Sequence, residues 1–219
     1  VRAFTEHTGR VVPILRRDID TDVLIRIERL IENPPDALGP FLFEAWRYLP
    51  DGSPDPAFAL NQERYAGASI LVAGPNFGCG SSREHAVWAL DGQGIRCVIA
   101  PSFGDIFVQN CFQNGVLPVA LDEAAIAEVL AELEPLDDPL LTVSLEQCAV
   151  SAPSGRRWTF VVADDRREAL LQGLDEIGAT LLRSDDIERF MRDDRDRRPW
   201  VHHHSGGHNA GETTVGEPK

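Results

Sequence analysis

Apolar and polar positions recur in distinct rhythms along this chain. Residues 9–15 form a short apolar run that ends in the turn-like stretch Asp18-Ile19-Asp20-Thr21-Asp22, which predicts a strand leading into an acidic loop. Residues 33–56 are rich in Pro, Gly and aromatics, which predicts a loop-dominated excursion with one or two helical turns over 41–48. From residue 69 the pattern sharpens. Residues 69–73 read as a buried strand, 76–80 as a glycine loop, 81–90 as a helix, 95–100 as a second strand, 102–114 as a helix stopped by Gly115, and 116–121 as a third strand. Strands alternating with helices in this way predict a parallel α/β layer. Over 122–134 the apolar set Ile126, Val129, Leu130 and Leu133 falls at i, i+3, i+4 and i+7, one face of a helix. The alternating runs 140–150 and 158–163 suit antiparallel strands, in a second sheet or an extension of the first. A helix is expected over 164–174, packed on those strands. Residues 185–198 mix acids and bases at helical spacing, as a solvated face does. Beyond Val201 there is no periodicity, and residues 201–219 are expected to be a disordered tail.

Composition narrows the chemistry. A chain of 219 residues fits one domain with appendages, and its 43 % hydrophobic share rules out disorder throughout. Acids outnumber bases 35 to 21, so a phosphate backbone is repelled over most of the surface and nucleic acid is not expected as a partner. Lysine occurs only at Lys219, which excludes Schiff-base and phosphate-loop lysine mechanisms. Cys79, Cys97, Cys111 and Cys148 show no C-x-x-C spacing and read as reduced thiols, while four of the six His lie in the tail, so no metal site is expected on this chain. Neither a signal peptide nor a membrane-length apolar run stands out, so the expected location is the cytoplasm, with no membrane partner.

The densest chemistry lies at Gly78-Cys79-Gly80-Ser81-Ser82-Arg83-Glu84-His85, where a glycine loop passes from a strand into a helix. Free N–H groups at a helix start favour an anion, and the Arg83 fork suits a carboxylate. Local sequence leaves plainer alternatives open. Ser81-x-x-Glu84 is also a capping box; His85 fits a satisfied core histidine; Cys79 fits a small buried filler as well as a nucleophile paired with His85.

Gly74-Pro75-Asn76-Phe77-Gly78-Cys79-Gly80-Ser81-Ser82-Arg83-Glu84-His85-Ala86 resembles the signature of the small subunit of 3-isopropylmalate dehydratase, a relative of the aconitase swivelling domain. Asp20-Thr21-Asp22, Phe41-Leu42-Phe43, Trp46-Arg47-Tyr48, the run 98–107, the run 110–118 and the run 170–178 extend the likeness, in family order, across about residues 5 to 200. The resemblance implies a three-layer β/β/α swivelling domain over 1–200 that pairs as a heterodimer with a separate large subunit. That subunit carries a [4Fe-4S] cluster, and this chain binds no cofactor. The implied reaction belongs to leucine biosynthesis: a hydro-lyase interconverts 2-isopropylmalate and 3-isopropylmalate through 2-isopropylmaleate. Carried over by motif position, Ser81 is the proton-abstracting base, Ser82 and Arg83 hold substrate carboxylate, and Thr21 and Asp22 line the site from a second loop. One departure concerns substrate choice: the family usually follows Asp22 with apolar residues and then Pro, whereas Val23-Leu24-Ile25 here runs into Arg26-Ile27-Glu28. A sister hydro-lyase for another malate-like acid is the alternative of the same class. A phosphate- or anion-binding module is the alternative of a different class, although neither of its usual glycine-loop patterns is complete. A Cys/His hydrolase using Cys79 is the third.

Overall fold

The first strand, β1 (Glu6–Ile14), is longer than the apolar run that announces it, because it serves two halves of one sheet. It is followed by the short helices α1 (Thr21–Leu24), α2 (Ile27–Glu32) and α3 (Glu44–Arg47), with 3-10 turns between and after them. Then β2 (Ile70–Ala73), α4 (Glu84–Gln93), β3 (Cys97–Ala100), α5 (Asp105–Gln113), β4 (Leu117–Ala120) and α6 (Glu123–Leu133) alternate in the expected order. The strands β5 (Leu140–Ser144), β6 (Ala149–Ser151) and β7 (Arg157–Thr159) lead into α7 (Asp164–Gln172), α8 (Glu176–Leu181) and α9 (Ser184–Arg197). The structure is a computed structural model, and it describes residues 1–80 and 83–201, without the side chains of Glu176 and Ala179. Ser81, Ser82 and the expected tail from 202 onward lie outside the described residues.

The seven strands form one sheet in the order β4-β3-β2-β1-β5-β6-β7. Its bend is built into β1. Residues Val11 to Ile14 pair in parallel with β2, from Val11↔Ile70 to Ile14↔Ala73, whereas Glu6 to Arg10 pair antiparallel with β5, from Glu6↔Ser144 to Arg10↔Leu140. The parallel half continues through β3 and β4, and the antiparallel half is a meander through β6 and β7. All four residues of β2 and of β3 are buried, which is why their sequence is continuously apolar instead of alternating.

Two cores result from the two faces. Val12, Leu71, Ala73, Val98 and Ala100 face helices, where Ala86, Val87, Ala89 and Leu90 of α4 and Phe107 and Cys111 of α5 cover them. Val11, Ile70, Val72, Cys97, Ile99 and Val119 face the other way, into one cluster with Leu141, Val143, Val150 and Trp158 of the antiparallel half and with Ile126, Val129 and Leu133 of α6. α4 and α5 on one side of the parallel strands, and the folded-back strands with α6 on the other, give the β/β/α layering. The excursion over 33–56 packs on α4 at closest range through two glycines. A Cβ at Gly39 would lie 2.3 Å from the carbonyl carbon of Gly92, so only hydrogen fits there.

Some boundaries differ from the expectation for local reasons. The run 140–150 is two strands, because a turn follows Leu145 and Cys148 adopts a left-handed φ of 47°. The strands of the antiparallel half extend the first sheet instead of forming a second one. Leu130 is only half-buried, while Asp122 caps α6 by accepting the Ala125 N–H at 2.7 Å. α4 is described from Glu84, with Arg83 at the N-cap position. Residues Val1–Ile177 make one compact unit, and α9 belongs to a second, Gly178–Lys219. α9 has no buried residue, as its mixed charges suggest, and it exposes Phe190 and Met191.

Candidate active site

In an open sheet, loops that leave the carboxyl ends of parallel strands meet at one rim, where ligands usually bind. Here the loops after β1, β2 and β3 are laced together by their backbones. The Asp18 N–H donates to Pro75 O at 2.9 Å, Gly78 N–H to Ile19 O at 2.7 Å and Thr21 N–H to Cys79 O at 3.0 Å. On the other side Phe77 N–H donates to Ser102 O at 3.0 Å, and Gly104 N–H to Phe77 O at 2.9 Å. Asn76 adds side-chain ties, its Nδ2 donating to Asp18 Oδ1 at 2.8 Å while its N–H is taken by Ser102 Oγ at 2.8 Å.

The glycines of the loop have separate reasons. Gly78 has φ 71°, and a Cβ there would lie 2.2 Å from the Phe107 ring. That ring packs edge-on to Phe77, with centroids 5.3 Å apart, under the loop. Gly104 approaches the Gly78 carbonyl so closely that a Cβ would sit 2.6 Å from its oxygen. The acidic loop is fixed as well: Asp20 is the N-cap of α1, and its Oδ1 accepts from Val23 N–H at 2.8 Å.

This lacing brings most of the sequence candidates together. Thr21 begins α1 and is fully buried, and among the described residues its Oγ1 has no hydrogen-bond partner. Asp22, one residue on, reaches Arg83, with 2.5 Å between Asp22 Oδ1 and Arg83 Nη1. Ser81 and Ser82 lie in the sequence between Gly80 and Arg83 but outside the described residues.

The plainer alternatives separate. Glu84 opens α4, and its carboxylate accepts from Asn114 Nδ2 at 2.9 Å at the end of α5. The same Asn114 accepts from Trp88 Nε1 at 2.9 Å. Glu84 is thus a tie between two helices, which a capping-box reading of Ser81-x-x-Glu84 overlooks. His85 packs its ring against Trp88, 4.5 Å between centroids. Burial, then the charges of Asp20 and Asp18, push the Cys79 thiol up, which disfavours the thiolate that a nucleophile needs. Asp18 itself stays well ionised, chiefly because Asn76 donates to it.

The cysteines do not form a ligand set. Cys97 and Cys111 are fully buried in the two different cores, and burial pushes both thiols up. Among the described residues no group of three or more His, Cys, Asp or Glu is placed to hold a metal ion. The described residues therefore offer no ligand set that fits an iron–sulfur cluster. No helix among them is long and apolar enough to cross a membrane.

Two cavities among the described residues are lined by other segments. One of about 640 Å³ is lined by Val11, Pro13, Tyr65 and Leu130, among others, and one of about 610 Å³ by Arg26, Phe41, Glu44 and Tyr48. The second touches the atypical segment after Asp22, where Arg29 of α2 pairs with Glu44 through both guanidinium Nη2 and Nε, at 2.5 and 3.0 Å. The motifs give no role to Asn76 and Asp20, which position the loops, or to Asn114, which ties α4 to α5. Only Asp20 had a local signal, an Asx cap three residues before Val23.

Residues 2–124 match the family described as the aconitase C-terminal domain. Over 210 residues the chain is 47 % identical to the 3-isopropylmalate dehydratase small subunit of Marinobacter nauticus, covering 92 % of this chain and 98 % of that one. The like-named proteins of a Polaromonas species and of Cupriavidus necator are 46 % and 48 % identical, over 93 % and 91 % of this chain and 98 % and 97 % of theirs. Among solved structures, 3-isopropylmalate dehydratase of Methanocaldococcus jannaschii superposes with a TM-score of 0.61 at 24 % identity, over 84 % of this chain and 98 % of that one, a likeness of fold.

Proposed function

The chain belongs to the family of 3-isopropylmalate dehydratase small subunits, and from that premise we propose that it supplies the proton-handling and carboxylate-binding half of a hydro-lyase whose other half is a large subunit. The substrates are 2-isopropylmalate and 3-isopropylmalate, interconverted through 2-isopropylmaleate in leucine biosynthesis in the cytoplasm. One observation carries the reading. The backbone bond from Thr21 to Cys79 and the contact from Asp22 to Arg83 gather two distant motifs on one rim of the sheet.

The chemistry asks for three things of this chain. A dicarboxylate must be held, and Arg83 offers a planar fork beside a helix N-terminus, with Ser82 adjacent in sequence. A carbon-bound proton must be removed, and Ser81 is assigned that step. A serine hydroxyl is a weak acid, so its anion requires N–H groups and positive charge, a role this reading gives to the start of α4 and to Arg83, which follow Ser81 in sequence. Over the isomerisation the C3–H and C2–OH bonds of 2-isopropylmalate break to give 2-isopropylmaleate and water, and C2–H and C3–OH bonds form when water re-adds, so atoms balance. The large subunit's [4Fe-4S] cluster, in this reading, supplies the Lewis acid for the hydroxyl group.

The test is co-expression of the full chain with its large subunit, followed by an assay of 2-isopropylmaleate hydration beside that of a smaller maleate lacking the isopropyl group. Hydration of 2-isopropylmaleate by the complex, and by neither subunit alone, supports the reading. Hydration of the smaller acid alone transfers the chain to a sister hydro-lyase. Inactivity towards both overturns the assignment.

A further inference from the structure

The Arg83 guanidinium is held unevenly. Nη1 is buried, lies 2.5 Å from Asp22 Oδ1 and makes no aligned hydrogen bond to another described residue. The side chain as a whole is still 23 % exposed. Its accessible surface therefore lies away from Nη1, and the other donors of the fork, Nε and Nη2, share one edge with the parallel geometry that a carboxylate takes. Asp22 is itself 59 % exposed, and an ionised carboxylate is an acceptor only, with nothing to donate to an anionic substrate.

We propose that Asp22 is a positioning residue for Arg83, holding Nη1 so that the Nε–Nη2 edge meets the substrate carboxylate, and that Asp22 does not contact that carboxylate itself. The inference rests on Arg83 being the carboxylate holder. The hold is anchored at the Asp22 end. Asp22 lies in the first turn of α1, which Asp20 caps and which Thr21 N–H fastens to Cys79 O in the loop that leads to Arg83. An exposed ion pair adds little to stability, so the purpose of this one is orientation.

The sign of the Asp22 effect separates positioning from mere charge. If Asp22 were only a negative charge near a dianion, its removal would relieve repulsion and lower KM. Positioning requires the opposite. In the reconstituted complex, Asp22→Ala is expected to raise KM for 2-isopropylmaleate about 10- to 100-fold, and the isosteric Asp22→Asn by less, with thermal stability little changed. In an Arg83→Lys background the same substitutions are expected to add little. A lowered or unchanged KM, or full additivity with Arg83→Lys, overturns the proposal. A second arm does not need activity: nitrogen-15 spectra of arginine side chains in the full chain alone. One hindered guanidinium, missing in Arg83→Lys, is expected to rotate freely in Asp22→Ala. If it stays hindered, Asp22 does not hold Arg83. If the wild-type complex is inactive, the functional reading fails while this arm still decides the role of Asp22.

Discussion

The backbone N–H of Thr21 donates to the carbonyl oxygen of Cys79 at 3.0 Å, across 58 residues of sequence. Because this bond joins backbone to backbone, it fixes the acidic loop against the glycine loop without using a side chain. Together with Gly78 N–H to Ile19 O it makes a short parallel ladder beyond the sheet proper, and a change in either strand of that ladder must disturb both motifs.

Gly78→Ala is expected to show this coupling. The substitution places a methyl group 2.2 Å from the Phe107 ring at a φ of 71°. Left-handed strain and overpacking together cost about 2–5 kcal/mol. Denaturant unfolding measures the loss, and the folded fraction is expected to have reduced turnover because the Thr21 and Cys79 loops are displaced. Unchanged stability would show that the loop does not press on Phe107.

Arg83→Lys keeps the charge and loses the planar fork. A fall in kcat/KM for the dicarboxylate of about 10²-fold is expected, with an unchanged melting temperature and undisturbed association with the large subunit. Loss of the complex with normal substrate binding in the residual fraction would make Arg83 an interface residue.

Thr21→Val separates stability from chemistry. The buried Thr21 Oγ1 has no partner among the described residues, so replacing the hydroxyl by a methyl of similar shape is expected to be neutral or stabilising. If turnover falls in a variant of equal or higher melting temperature, the hydroxyl acts at the site. A loss of about 1 kcal/mol or more would mean that it makes a hydrogen bond in the folded chain.

The parallel half was legible because its signals are local. Buried four-residue strands separated by helices leave continuous apolar runs, and Gly78 and Gly80, both at positive φ, mark the loop after β2. The single sheet was not legible. Its bend depends on β1 pairing with β2 along one half and with β5 along the other, and nothing in residues 6–14 states which partner lies more than 120 positions away. The same holds inside the site. Arg83 and Thr21 were found through their motifs, but the Asn114 tie on Glu84 spans two helices and has no short-range signature.

Stability towards acid is expected to fall in two windows. Burial, aided by the charges of Arg96 and Arg2, holds His7 below its usual value, while its Nε2 lies 2.7 Å from Ser69 Oγ. The unfolded chain therefore takes up this proton first, and stability is lost as pH falls below about 6.5 towards the folded value. Glu44 is held low by the Arg29 hydrogen bonds, so its contribution, present above the ordinary carboxylate range, is lost only as pH falls through and below that range. Melting temperatures of the wild type and His7→Asn between pH 7.5 and 5 are the check. The variant is expected to be less stable at pH 7.5 and to have a flatter profile. Parallel profiles would remove His7 from the account.

The central claim, that this chain handles the proton, is tested most directly by isotope exchange. The complex is incubated with 2-isopropylmalate in deuterium oxide, and deuterium at the carbon that loses and regains hydrogen is followed by mass spectrometry. Replacing Ser81 by Ala is expected to slow that exchange by at least about 10²-fold, with the iron content of the complex and its affinity for the substrate retained. Exchange at the wild-type rate in the Ser81→Ala complex would contradict the account and place the base on the partner subunit.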